Sequence, residues 1–190
     1  MKKIIFYIIV SLLLVFILII SLSPFKKYAG ETNRIVKHTI TIDAPVDSVF
    51  NFLGNSDNVA LWSVYIDHIT PLNSDSIPDG KPGSRRRCFQ NANEEGIKWD
   101  ELITIVEKNK RRQLTIYDTK GFPMMAEPLA TEQIYKSMND NKCELTFTLF
   151  FPDEKPSLVE FIKTSLGAYK IKSVYEQNMQ NIKTLIEQKK

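Results

Sequence analysis

Glu101 is the residue whose surroundings could make a reagent of a side chain. The run 97–107 reads as a strand that places Glu101 on one face with Trp99, Ile103 and Ile105. Turned inward, that face holds a carboxylate in apolar surroundings. Its pKa would rise, and it could serve as a general acid or base. Turned outward, Glu101 is an ordinary surface glutamate, and that is the reading the sequence favours. His38 shares a face with Val36, Ile40 and Ile42. It could donate to a ligand, although an interior or rim histidine with a backbone partner is the commoner case. Tyr65, Tyr117 and Tyr169 could offer hydroxyls to a bound carbonyl, or could simply be core aromatics. Phe122, Met124 and Met125 could form an adaptable cavity mouth, since methionine fits varied apolar shapes, or pack as any loop does.

Around these residues the usual catalytic signatures are missing. The chain has no GxSxG, HExxH, phosphate-binding loop or GxGxxG. Its two histidines, His38 and His68, and two cysteines, Cys88 and Cys143, form no CxxC and no metal-ligand spacing. No metal or cofactor is expected, and no disulfide framework. The formal net charge is +3, of which Lys2 and Lys3 supply two. That is no footprint for nucleic acid. Arg85-Arg86-Arg87 and the run 108–112 read as solvated charge.

These side chains need a scaffold. Residues 4–22 carry no charge. As a helix rising ~1.5 Å per residue they would span about 28 Å, close to the hydrocarbon thickness of a bilayer. The run is too long for a signal-peptide core, and Pro24 would follow the only small-residue cleavage site at once. An uncleaved anchor over 1–23 is therefore expected, followed by a polar linker over 24–33 and one domain over 34–190. Lys2 and Lys3 stand against Lys26, Lys27 and Arg34 across the span, so the charge rule nearly ties. The lean is to an inside N-terminus and a domain outside the cytoplasm.

In the domain, 34–43 alternates as a half-buried strand. Pro45 suits the first turn of a short helix ending near Gly54, and Asn55 or Ser56 can cap a second. Strands are expected over 63–70, 85–90, 97–107, 113–119, 129–137 and 142–151, with a long loop over 71–84. Pro156 is expected to open a helix of about thirty residues, with Asp153 and Glu154 near its positive end. Its apolar series runs Leu158, Phe161, Ile162, Leu166, Tyr169, Tyr175, Met179, Ile182, Ile186. The order is α+β: one strand, two short helices, six strands, one long helix. A curved antiparallel seven-stranded sheet gripping that helix is the expected architecture.

Several stretches together resemble the SRPBCC superfamily of START-like and polyketide cyclase/dehydrase proteins. They are Ile40-x-Ile42-x-Ala44-Pro45-x-x-x-Val49-Phe50-x-x-Leu53, Trp62, Trp99-x-Glu101-x-Ile103-x-x-x-Glu107, Lys110-Arg111-Arg112 and the final helix. The anchor ending in Pro24-Phe25-Lys26-Lys27-Tyr28 resembles a membrane-tethered bacterial subgroup. The resemblance covers about residues 34 to 188. It implies a helix-grip fold with a cavity for lipid-like, sterol or polyketide-like molecules, and no particular reaction. Gly167, flanked by Phe161 and Tyr169, would leave a gap on the helix face for Trp99, Tyr117, Phe122 and Met124 to line. A membrane-held binder of an apolar small molecule or lipid is the expected function. A cyclase/dehydrase-like enzyme is the alternative, and a chaperone-activator-like interaction module the third reading.

Overall fold

The computed structural model describes residues 2–121, 126–152 and 156–188. Helix α1 (Lys2–Ser21) is apolar all round and buries none of its residues against the domain. Among the described residues it is the one helix long and apolar enough to cross a membrane. The strands that follow are β1 (Lys26–Lys27), β2 (Arg34–Ile42), β3 (His68–Pro71), β4 (Arg85–Phe89), β5 (Lys98–Glu107), β6 (Arg111–Lys120), β7 (Leu129–Asn139) and β8 (Lys142–Phe150). Between β2 and β3 lie α2 (Val46–Gly54), a 3-10 turn at Ser56–Asn58 and α3 (Val59–Trp62). Helix α4 (Leu158–Glu187) closes the chain.

One antiparallel sheet runs β1-β2-β8-β7-β6-β5-β4-β3. The expected helix-grip arrangement is present, with eight strands where the sequence pattern indicated seven. The extra strand lies in the segment read as a linker: Lys26 and Lys27 pair with Ile35 and Arg34. Two residues are too short to show a period-2 signal. Phe25 beside them is 2% exposed and joins the core.

Two further boundaries differ. The stretch expected as a strand from 63 begins pairing at His68, because Ser63 Oγ accepts from the backbone N–H groups of Tyr65 and Ile66 and folds the chain into a turn. Helix α4 starts at Leu158, with Ser157 rather than Pro156 at its head. Ser157 Oγ accepts from the Glu160 N–H, and Glu160 accepts from the Ser157 N–H. This reciprocal box satisfies two otherwise unpaired donors. Asp153 and Glu154 lie outside the described residues.

Helix α4 buries Met179, Ile182 and Ile186 in its second half, but Thr164, Ser165 and Ala168 in its first. The apolar series read along it is therefore split, and Leu158 stands 73% exposed. The core splits likewise. One cluster gathers Val49, Phe50 and Trp62 with Tyr135, Phe147 and Met179. The other gathers Phe25, Trp99, Ile103, Leu114 and Leu149 with Ala168.

Candidate ligand-binding cavity

Period-2 alternation decides which side chains of β6 face α4. Arg112, Leu114 and Ile116 are buried, while the residues between them are only partly covered. On β8, Phe147 and Leu149 face the same way and line the same space. Opposite them, α4 presents Gly167, Lys170, Ile171, Val174 and Tyr175. Leu53, Val59 and Trp62 from α2 and α3 close one end. The space between sheet and helix, partly open to the surface, is about 410 Å³, within the usual range for small-molecule sites. Its walls come from both core clusters. The hollow thus lies between the two clusters, along the stretch of α4 from Gly167 to Asn178.

The polar groups in this apolar space are few. Glu101 and Arg86 face each other across β4 and β5. Arg86 Nε donates to Glu101 Oε2 at 2.7 Å, and Trp99 Nε1 donates to Oε1 at 2.9 Å. Arg86 Nη1 reaches Ser56 Oγ at 3.1 Å. Burial pulls the Arg86 pKa down, but the Glu101 charge, with smaller help from Cys88 and Asp79, leaves it above its ordinary value. Glu101 is 5% exposed. It is not the surface glutamate that the strand pattern favoured, because its face is the one that turns toward α4. Burial pushes the Cys88 thiol well up, and both cysteines are free and buried.

Arg112 differs from Arg86. It is 5% exposed and lines the cavity. Nη1 donates to Tyr135 Oη at 3.2 Å and more weakly to Gln133 Oε1 at 3.4 Å. The guanidinium lies 4.6 Å from the Phe50 ring centre. Burial holds its pKa below the ordinary arginine value, partly offset by Tyr135 and Asp79 and reinforced by Arg86. Among the described residues no carboxylate pairs with it. A Cβ on Gly54 would stand 2.7 Å from Nη2, so glycine there makes room for the guanidinium.

Of the residues singled out in the sequence, Tyr65, Trp99, Glu101 and Gly167 line the cavity. The Tyr65 and Trp99 rings lie 6.3 Å apart. Tyr117 does not line it: the residue sits opposite Asp100 on the outer face of β5 and β6. Phe161 packs on Phe25 instead, 6.2 Å between ring centres, under the Arg34 guanidinium. Tyr169 is 42% exposed and donates to the Ile19 carbonyl at the end of α1. Phe122 and Met124, with Met125, lie outside the described residues. His38 does not line the cavity. Its Nδ1 lies 2.8 Å from Lys172 Nζ, so its partner is a side chain, not the backbone.

The sequence reading missed Arg86 and Arg112, both taken for solvated charge. The signal for Arg112 was available, since it stands in phase with Leu114 and Ile116. Tyr175 also lines the space, its hydroxyl held by Thr131 Oγ1 and the Thr148 carbonyl, and burial pushes its pKa up. Among the described residues no cluster of metal-ligating side chains occurs.

No protein-family profile matches this sequence, and no curated protein matches it. Solved structures do match the fold. Norcoclaurine synthase from Thalictrum flavum, in complex with dopamine and hydroxybenzaldehyde, is 11% identical with a TM-score of 0.59, covering 83% of this chain and 88% of its own. The Zhui aromatase/cyclase from Streptomyces sp. R1128 is 16% identical with a TM-score of 0.58, covering 81% and 93%. A solution structure from Thermobifida fusca is 15% identical with a TM-score of 0.62, covering 81% and 93%. The fold is the helix-grip fold that these structures share. At these identities the likeness speaks for architecture alone.

Proposed function

We propose that this protein is a membrane-tethered binder or carrier of a hydrophobic small molecule, lipid-like or polyketide-like. The observation that carries the reading is the 410 Å³ hollow, walled mostly by aromatic and aliphatic side chains. On the α4 side that wall includes Gly167, which offers no side chain to fill the space. The solved structure of a similar fold with dopamine and hydroxybenzaldehyde supports a small organic occupant. The length and apolarity of α1 support the tether; an uncleaved span with the domain outside the cytoplasm belongs to the same proposal.

A cyclase/dehydrase-like enzyme is the second reading, because Glu101, Arg86 and Arg112 all reach the cavity. Both Glu101 oxygens accept hydrogen bonds, from Arg86 and Trp99. Those two bonds hold the carboxylate to the cavity wall and leave one acceptor position on each oxygen for a proton to be taken.

Native mass spectrometry of the full-length protein, released from mild non-ionic detergent, tests the reading. The expected result is a copurified apolar molecule, depleted in Gly167→Leu, whose new side chain enters the cavity wall. A wild-type protein that carries nothing and takes up no apolar probe would overturn it.

A further inference from the structure

The walls of the cavity leave two buried polar atoms without a partner among the described residues, Arg112 Nε and Trp62 Nε1. Both are N–H groups that can only donate. A buried donor left unpaired costs free energy, more so when it is charged. These two donors therefore lack acceptors. The two arginines that line the cavity are also unequally answered: Glu101 takes Arg86, and among the described residues no carboxylate takes Arg112. Asp79, in the loop before β4, acts on both arginines through its charge. It forms no ion pair with either, and its own Oδ1 is buried and unpartnered.

Building on the cavity reading above, we propose that the ligand is an amphipathic monocarboxylate whose acid group is held by Arg112 while its apolar body lies along Trp99, Leu114 and Ile116. A planar guanidinium matches a carboxylate in shape and charge. Trp62 Nε1 is a second donor on the same cavity. A dianionic phosphate monoester fits less well at Arg112, because a single guanidinium would face two charges with Asp79 and Glu101 nearby. Arg112 is also held in place without a carboxylate, by Tyr135, Gln133 and the Phe50 ring. Its charge is thus positioned before any ligand arrives.

The test uses the full-length protein in phosphatidylcholine nanodiscs. The probes are 11-(dansylamino)undecanoic acid and its methyl ester. Trp62 and Trp99 are the only tryptophans and both line the cavity. Saturable energy transfer from them to the dansyl group therefore reports occupancy. A charge-assisted hydrogen bond contributes enough that the acid should bind about 10- to 100-fold more tightly than the ester. Arg112→Met should bring the acid down to the level at which the same variant binds the ester. Arg112→Lys should keep a preference for the acid. Equal binding of acid and ester by the wild-type protein overturns this inference and leaves the cavity reading standing. So does a preference that survives in a folded Arg112→Met. The wild-type comparison decides the matter even if that variant fails to fold. Binding of neither probe overturns both.

Discussion

Arg86 and Glu101 meet across neighbouring strands with 2.7 Å between Nε and Oε2, on the wall of a mostly apolar space. Both side chains are nearly buried, so each depends on the other. Replacing Glu101 with leucine alone should destabilise the domain by about 3–5 kcal/mol, because it leaves a buried guanidinium unanswered. The double variant Arg86→Met/Glu101→Leu should recover most of that loss. Thermal denaturation of the three variants checks both statements. A Glu101→Leu protein as stable as wild type would mean Arg86 finds another partner.

Phe147 is 4% exposed and sits edge-on to both Trp62 and Tyr175. Phe147→Ala should cost about 3–5 kcal/mol through lost burial and an enlarged hollow. Denaturant unfolding measures this. A loss below about 1 kcal/mol would contradict the placement of this residue between sheet and helix.

His38 gives a pH dependence. Burial, and then the Lys172 charge, lower its pKa below the ordinary 6.5, with Glu176 opposing. The unfolded chain therefore takes up a proton at a higher pH than the folded one. This contribution to stability is complete above about pH 6.5 and is lost as pH falls through that value toward the folded pKa. His38→Asn should flatten the melting temperature against pH just below 6.5. An unchanged profile would assign the slope to other groups.

The tether is open to direct measurement. With α1 as an uncleaved span, the protein should remain in membranes washed with alkaline carbonate. A mature chain beginning near Pro24 in the soluble fraction would contradict it.

Much of the grip was legible in the sequence because inward and outward residues alternate plainly on β2, β6 and β8. The helix pair at 46–62 was legible from Pro45 and the spacing of Val49, Phe50 and Leu53. The polar interior was not. Arg86 lies in a row of three arginines and Arg112 at the end of a basic run, where composition argues for solvent. Only the register that sets Arg86 opposite Glu101, and the phase that Arg112 shares with Leu114, bring them inside. Tyr169 stood in phase with the helix stripe, yet the stripe breaks where α1 arrives. A contact between residues 150 positions apart leaves no mark on local periodicity.

That arrival also fixes a direction. Ser23 Oγ donates to the Ser165 carbonyl at 2.6 Å and accepts from the Phe25 N–H, while Tyr169 holds the last turn of α1. A loose leash would let the domain tumble, showing every side to the bilayer in turn. These bonds act instead as a bracket, bolting the first half of α4 to the end of the span. Gly167 and Lys170, on the wall of the hollow, lie within a turn and a half of the bolts. On the proposed tether, that part of the wall would stay at a set height above the lipid surface, and a guest leaving the bilayer would have the same short distance to travel each time.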